Sequence, residues 1–544
     1  MAGIGGAILV LIAIALTGPS RAVAYLAPHQ AGPLVFLRLH LHQTLVAGAV
    51  WLAILAGGTG VAAGLLAIAR GARPPARLLM GLALAATALL TVAPAVGSTD
   101  TLDYASYGRM VAIGHDPYVM TPYQLRLSGD PIGRAAPRPW QQDHSVYGPL
   151  ATVEQAAAAE LGGTSPGWIV FWLKLWNSLA FAGIMLALDR LLRSDPVRRA
   201  RAHLLWSLNP LLLWSLVAGG HIDSLAVGFG FLGLMILHPG WRKAEARLRR
   251  PSASPAAPRR SGPPQPRLRD GWQARARLAW LRQRVGKAWA EGGSRLDLGD
   301  PGMLRGAIAG VLAGAAADVK ITLACFGLGM AWAVRKRWRT LAAVAGGGLF
   351  VLVPSYLWFG PPSITALLNH SSVTADNLYR IFVDALGHSS LPQLSTVALP
   401  VFAFTALLLM RRLPDGFPAL PAVRPAFALS LAWLLTWPYQ RPWYDAMAFC
   451  LLALYPASRL DWPLIARLVA GVLFSTPGMP GRLRIFPLGM IQHELVVFVV
   501  PAVRLGALVM VLLLCLTMAW QAREPLRLRL AGLVPLPWRV PPFP

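Results

Sequence analysis

Negative charge is scarce in this chain. Its 544 residues hold 23 Asp and Glu against 50 Lys and Arg, and all charged residues together make up 13%. A soluble domain carries about 25%, so a soluble globular class is excluded. Cysteine is scarcer still. Cys325, Cys450 and Cys515 all lie in apolar runs, and no pair has metal-ligand spacing. That excludes a disulfide framework, and the three read as small buried hydrophobes. No internal repeat is visible, which argues against transporters built from paired halves. No basic segment precedes the first apolar run, so residues 3–20 are expected to be a retained span, not a cleaved signal.

What the chain has in abundance is apolar surface, 55% of its residues. Apolar runs that are candidate membrane spans recur at 3–20, 44–69, 78–96, 167–189, 203–218, 222–238, 304–317, 321–334, 340–358, 394–410, 426–438, 443–457, 463–476 and 494–519. The expected fold is an all-α polytopic membrane protein of about 13–14 transmembrane helices. Several runs are too short to cross alone at 1.5 Å per residue and are expected to be broken helices. The net charge of +27 would suggest nucleic acid in a soluble protein. Here the arginines concentrate in alternate loops, 70–77, 190–202, 239–303, 335–339 and 411–424, so membrane orientation accounts for them and no nucleic-acid partner is expected. Both termini then fall in the cytoplasm of a multi-pass plasma-membrane protein. Loops 97–166, 219–221, 318–320, 359–393, 438–443 and 477–493 fall outside.

This threading divides the chain into an N-terminal hairpin (1–77), a first core (78–240) carrying the outer loop 97–166, a cytoplasmic basic linker (241–303), a second core (304–520) and a cytoplasmic tail (521–544). Pro251 to Pro266 is rich in Pro, Ser, Ala and Arg and reads as disordered. After it, Trp272, Leu278, Leu281, Val285 and Ala288 recur at helical spacing among basic residues. That pattern suits a helix lying on anionic headgroups.

The polar residues that remain gather on the outer side. The first outer loop holds Asp100, Asp103, Tyr104, Tyr107, Asp116, Tyr118 and Tyr147. An interfacial aromatic belt explains the rings, but not carboxylates so close to a span. Rings stack on the apolar faces of a sugar, and carboxylates accept its hydroxyls. His221 and Asp223 stand in a tight turn between two apolar runs, where they are costly unless they face a polar cavity. Lys320, between two half-length runs, needs a partner; Asp318 is one choice, and a phosphate is the other. Arg441 sits on the side where the positive-inside rule disfavours it, beside Trp443 and Tyr444. Its fork of donors suits a phosphate. Loop 359–393, with Asn377, Tyr379 and Arg380, reads as a solvated loop or a lid, and Arg482 and Arg484 are further outer arginines.

Ser98-Thr99-Asp100 with Tyr104, Tyr107-Gly108-Arg109 and Asp116-Pro117-Tyr118 resembles the acidic first-loop motif of the GT-C glycosyltransferases. Among these it looks most like the polyprenol-phosphate-mannose-dependent α-1,6-mannosyltransferases of actinobacterial lipomannan synthesis. Tyr147-Gly148-Pro149-Leu150, Asn209-Pro210, His221-Ile222-Asp223-Ser224 and Val319-Lys320 agree, over roughly residues 80–460. That family usually reads His-Asn-Asp-Ala around the histidine, so Ile222 and Ser224 depart from it. Asp103 stands where Ser is more usual, which leaves Asp100 and Asp103 both open as the base.

The resemblance implies a GT-C bundle with an extracytoplasmic active site. It also implies a polyprenyl-phosphate sugar donor, a glycan or glycolipid acceptor and inversion at the anomeric carbon. Asp100 or Asp103 would then take the acceptor proton, and Lys320 and Arg441 would hold the donor phosphate. Tyr104, Tyr107, Asp116, Tyr118, Tyr147, His221, Asp223, Trp443 and Tyr444 would line the substrate. No cofactor is required, although a divalent metal bridging Asp100 and the phosphate stays open. The rival readings are transfer of another lipid-linked sugar or to a protein acceptor, and a lipid or solute transporter.

Overall fold

Proline follows a capping residue at helix after helix. Asp195 accepts from the Val197 and Arg198 amides ahead of Pro196–Ala202. Asp130 accepts from Ile132 and Gly133 ahead of Pro131–Ala135. Thr121 forms a reciprocal box with Gln124 ahead of Pro122–Leu127. Proline lacks the amide hydrogen that the first helical turn leaves unused, and the cap satisfies those that remain.

The computed structural model describes residues 1–24, 26, 30–137, 140–238, 301–370, 391–414, 416–417, 419–476 and 487–530. Among the described residues, five helices are long and apolar enough to cross a membrane: Gln43–Ala69, Pro166–Leu191, Gly302–Val319, Trp338–Phe359 and Leu488–Thr517. The pair Pro196–Ala218 and Asp223–Leu237, bent by 113°, is long and apolar enough taken together, as a broken span or a re-entrant loop. Ala2–Thr17, Ala76–Val92, Ile321–Val334 and Val423–Thr436 are shorter apolar helices. The protein is an all-α polytopic membrane protein. Among the described residues the one extended pairing is an isolated bridge between Val23 and Val96.

Run 443–457 takes a broken form, whereas run 304–317 belongs to a helix of crossing length. Run 443–457 becomes a 3₁₀ turn, Pro442–Asp445, followed by the seven-residue helix Ala446–Leu452. At 1.5 Å per residue that helix covers about 10 Å and cannot cross alone. Runs 304–317 and 321–334 lie on separate helices, broken where Lys320 turns extended (φ −154°). The first outer segment, read as a loop, is itself helical: Asp100–Ala112 and Pro149–Gly162 pack side by side through Gly108. A Cβ there would meet the Gln155 carbonyl at 2.0 Å.

Small residues also set the second core. A Cβ on Gly310 would lie 2.1 Å from the Val344 carbonyl, and one on Gly347 would lie 2.2 Å from that of Ala307. Helices Pro301–Val319 and Trp338–Phe359 therefore meet backbone to backbone, the contact that small residues permit between membrane helices. The linker 241–300 with its amphipathic segment, residues Asn377, Tyr379, Arg380, Arg482 and Arg484, and the tail beyond 530 lie outside the described residues.

Candidate active site

Four chain segments meet at the start of helix Asp100–Ala112. The connection before it is pinned by backbone bonds, Val96 amide to Ala218 carbonyl (3.0 Å) and Gly97 amide to Ala22 carbonyl (2.8 Å). Lys174, inside the apolar helix Pro166–Leu191, donates to the carbonyls of Leu90, Ala93 and Pro94 (2.6, 2.6 and 3.2 Å). It thereby ties down the free carbonyl end of the preceding helix. Ser98 Oγ accepts from the Asp100 amide at 3.1 Å.

The bend in the helix pair supplies the second segment. Gly220 takes a left-handed conformation (φ +66°), and a Cβ there would come within 2.7 Å of Thr101. Glycine is the residue that meets both demands. The turn therefore lies directly on Asp100–Ala112 and delivers His221 and Asp223. Nδ1 of His221 donates to the Ser215 carbonyl, and its Nε2 faces Asp100 Oδ2 at 3.5 Å. Trp443 stacks on the imidazole with centroids 3.7 Å apart and planes 16° apart.

Lys320 comes from the break between helices Pro301–Val319 and Ala324–Val334. Its partner is Asp223, not Asp318: Nζ lies 2.8 Å from both Asp223 oxygens and 3.9 Å from the Tyr444 ring centroid. Asp318 instead accepts from the Leu150 amide (3.1 Å), capping Pro149–Gly162 across 168 residues. A Cβ on Gly148 would fall 1.5 Å from the Asp318 carbonyl oxygen, so Tyr147-Gly148-Pro149 docks on Asp318-Val319-Lys320 only with glycine in the middle. Tyr147 then donates to the Tyr104 hydroxyl (3.1 Å), and the two rings meet edge to face.

The last segment is 437–445. Arg467 holds it from behind, binding Asp445, Gln440 Oε1 (2.9 Å) and the Leu434 carbonyl (3.2 Å). Arg441 projects among Trp140, Tyr439 and Phe474, 5.4 to 5.9 Å from their ring centroids. It donates to the Tyr439 hydroxyl at 3.4 Å, and no carboxylate among the described residues pairs with it.

The structure thus brings together Asp100, Tyr104, Tyr147, His221, Asp223, Lys320, Arg441, Trp443 and Tyr444. Other expected site residues are spent on local structure. Asp116 accepts from the Tyr118 amide (2.8 Å). The Tyr118 hydroxyl meets the Tyr147 carbonyl (2.8 Å) and Thr152 (2.9 Å), and that of Tyr107 meets the Asp143 carbonyl (3.1 Å). Lys174 and Ser215 were not singled out from the sequence. A lone lysine in an apolar run was the available sign for the first; nothing marked the second.

The two candidate bases differ sharply. Burial alone would raise the Asp100 carboxyl, but His221, Ser98 and the Arg441 guanidinium outweigh it and hold it below its ordinary value. Burial pushes Asp103 well above its ordinary value, and the charges of Asp100 and Asp143 push the same way. Neither Asp103 oxygen has a hydrogen-bond partner among the described residues. Side-chain exposure is 18% for Asp100 and 1% for Asp223, and Asp103 is 4% exposed overall. Among the described residues, no group of three or more His, Cys, Asp or Glu gathers in a way that could hold a metal ion.

Residues 1–252 match the family described as alpha-(1->6)-mannopyranosyltransferase, N-terminal domain. The chain resembles the α-(1→6)-mannopyranosyltransferases. Alpha-(1->6)-mannopyranosyltransferase B of Corynebacterium glutamicum is 30% identical over 135 residues, 25% of this chain and 22% of the relative. A probable alpha-(1->6)-mannopyranosyltransferase of Mycolicibacterium smegmatis is 29% identical over 171 residues, 31% of each chain. Alpha-(1->6)-mannopyranosyltransferase Rv1459c of Mycobacterium tuberculosis is 28% identical over 145 residues, 27% of this chain and 24% of the relative. The matched stretch therefore spans less than a third of each relative. No solved structure matches the chain. The matched half holds Asp100, His221 and Asp223, whereas Lys320 and Arg441 lie beyond it.

Proposed function

We propose that the chain is a membrane mannosyltransferase. In this reading it moves mannose from a polyprenyl phosphate to a hydroxyl of a glycan or glycolipid acceptor, with inversion, at the extracytoplasmic face of the plasma membrane. The product class is an α-1,6-linked mannan, and both chain termini are cytoplasmic. The observation that carries the reading is the contrast among the three carboxylates of the cluster. Asp100 is held below its ordinary value and is partly open, Asp103 is raised above its ordinary value and closed, and Asp223 is taken up by Lys320.

Asp100 is then the general base that takes the acceptor proton. Arg441 is the cation left to meet the departing phosphate, because no carboxylate among the described residues pairs with it. A planar fork of donors fits that group. Lys320 acts less directly than a free point charge would. It holds Asp223 and the bend in place and presents at most one further hydrogen to an anion. Tyr104 and Tyr147 offer hydroxyls beside the base, and Trp443 supports His221 with the face that a sugar would otherwise use. The similarity of the first half to α-(1→6)-mannopyranosyltransferases supports the choice of mannose.

The test is transfer from a panel of polyprenyl-phosphate sugars to an oligomannoside, in membranes carrying the full chain. The reading predicts mannosyl transfer above that from glucosyl or arabinosyl donors, with an α-1,6 linkage in the product. Transfer of another sugar in preference to mannose would contradict it.

A further inference from the structure

His221 sits at the centre of the cluster, yet its ring is closed to a sugar. The residue is 1% exposed, Trp443 covers one face, and Nδ1 is committed to the Ser215 carbonyl. A carbonyl oxygen accepts only, so Nδ1 carries a hydrogen, and Nε2 is the nitrogen left to exchange a proton with Asp100. Nε2 has no hydrogen-bond partner among the described residues and faces Asp100 Oδ2 at 3.5 Å. A proton placed between the two is shared in a buried site, where such a contact is strengthened.

We propose that His221 is a proton relay behind Asp100, a positioning residue that acts through the carboxylate and does not touch the sugar. This rests on Asp100 being the base of the reaction proposed above. The acceptor O–H bond breaks and its electron pair forms the new bond to the anomeric carbon. The bond from that carbon to the phosphate oxygen breaks, and its pair leaves on the phosphate. The proton goes to Asp100 Oδ2 and then to His221 Nε2. Asp100 is again a carboxylate, now beside an imidazolium. The cation lies against the Trp443 ring, whose face favours positive charge, and its Nδ1–H stays on Ser215. Once the product leaves, the proton returns through Asp100, whose side chain is 18% exposed, to solvent before the next turnover. The charged groups nearest the pair fit this course. The Arg441 charge acts on Asp100, and Lys320 is closed on Asp223.

Two variants of the full chain test the relay, assayed in membranes at matched abundance with polyprenyl phosphate mannose and an oligomannoside. In His221→Asn the amide nitrogen replaces Nδ1 as donor to Ser215, and nothing replaces Nε2. The relay predicts that kcat falls by at least about 10-fold with both KM values unchanged. A merely structural histidine predicts near-normal kcat. In His221→Ala the relay predicts that added imidazole raises kcat several-fold, and no gain would overturn it. Loss of transfer in Asp100→Asn without loss in His221→Asn overturns the relay and leaves the base. Retained transfer in Asp100→Asn overturns both.

Discussion

Lys320 and Asp223, 97 residues apart, close a buried ion pair in which the ammonium reaches both carboxylate oxygens at 2.8 Å. The pair joins the break between Pro301–Val319 and Ala324–Val334 to the bend of another helix pair, so it fixes the relative placement of the segments around Asp100. Removing one partner leaves the other charge buried and alone, which costs about 3–5 kcal/mol. Asp223→Asn and Lys320→Met are each expected to lower the thermal midpoint of the detergent-solubilised protein strongly. The double variant should recover much of the loss. Single variants as stable as the wild type would show that the pair does not hold the site together.

Asp103 gives a prediction with a definite sign. Its folded pKa is raised, so the folded state binds the proton more tightly than the unfolded chain. Stability from this group is complete below the unfolded value, about 3.9, and is lost as pH rises toward the folded value. Asp103→Asn removes that loss with little change of shape. The variant is expected to be more stable than the wild type at pH 7, by a margin that narrows as pH falls toward 4. Midpoints measured across that range check it, and a margin that widened on acidification would mean Asp103 is held as an anion.

Arg441 separates binding of a phosphate from general electrostatics. Arg441→Ala is expected to cut kcat/KM for the polyprenyl donor by about 10²-fold with little effect on the KM of the acceptor. Arg441→Lys should restore part of it, since a point charge keeps the attraction and loses the fork. An effect confined to the acceptor would move Arg441 to the other substrate.

Much of this architecture is written locally. Apolar runs mark the helices, and the pairs Thr121-Pro122, Asp130-Pro131, Asp195-Pro196 and Asn209-Pro210 mark their starts. The polar residues worth attention were visible too, because each interrupts an apolar context. Their partners were not. From the sequence, Lys320 is assigned to a phosphate or to its neighbour Asp318, whereas the fold turns Asp318 toward Leu150 and brings Asp223 to the lysine. Tyr107, Asp116 and Tyr118 look like sugar contacts by residue type, whereas the fold turns their polar atoms to the Asp143 carbonyl, the Tyr118 amide, and the Tyr147 carbonyl and Thr152 hydroxyl respectively. The choice between Asp100 and Asp103 depends on burial and on His221, more than a hundred residues away, and no local pattern encodes it.

The central claim is that Asp100 is the base and Asp103 is not. The direct measurement is the kcat of labelled-mannose transfer from polyprenyl phosphate mannose in membranes carrying wild type, Asp100→Asn or Asp103→Asn at matched abundance. The account predicts a fall of at least about 10²-fold for Asp100→Asn and activity near wild type for Asp103→Asn. The reverse order, with Asp103→Asn inactive and Asp100→Asn active, would contradict it.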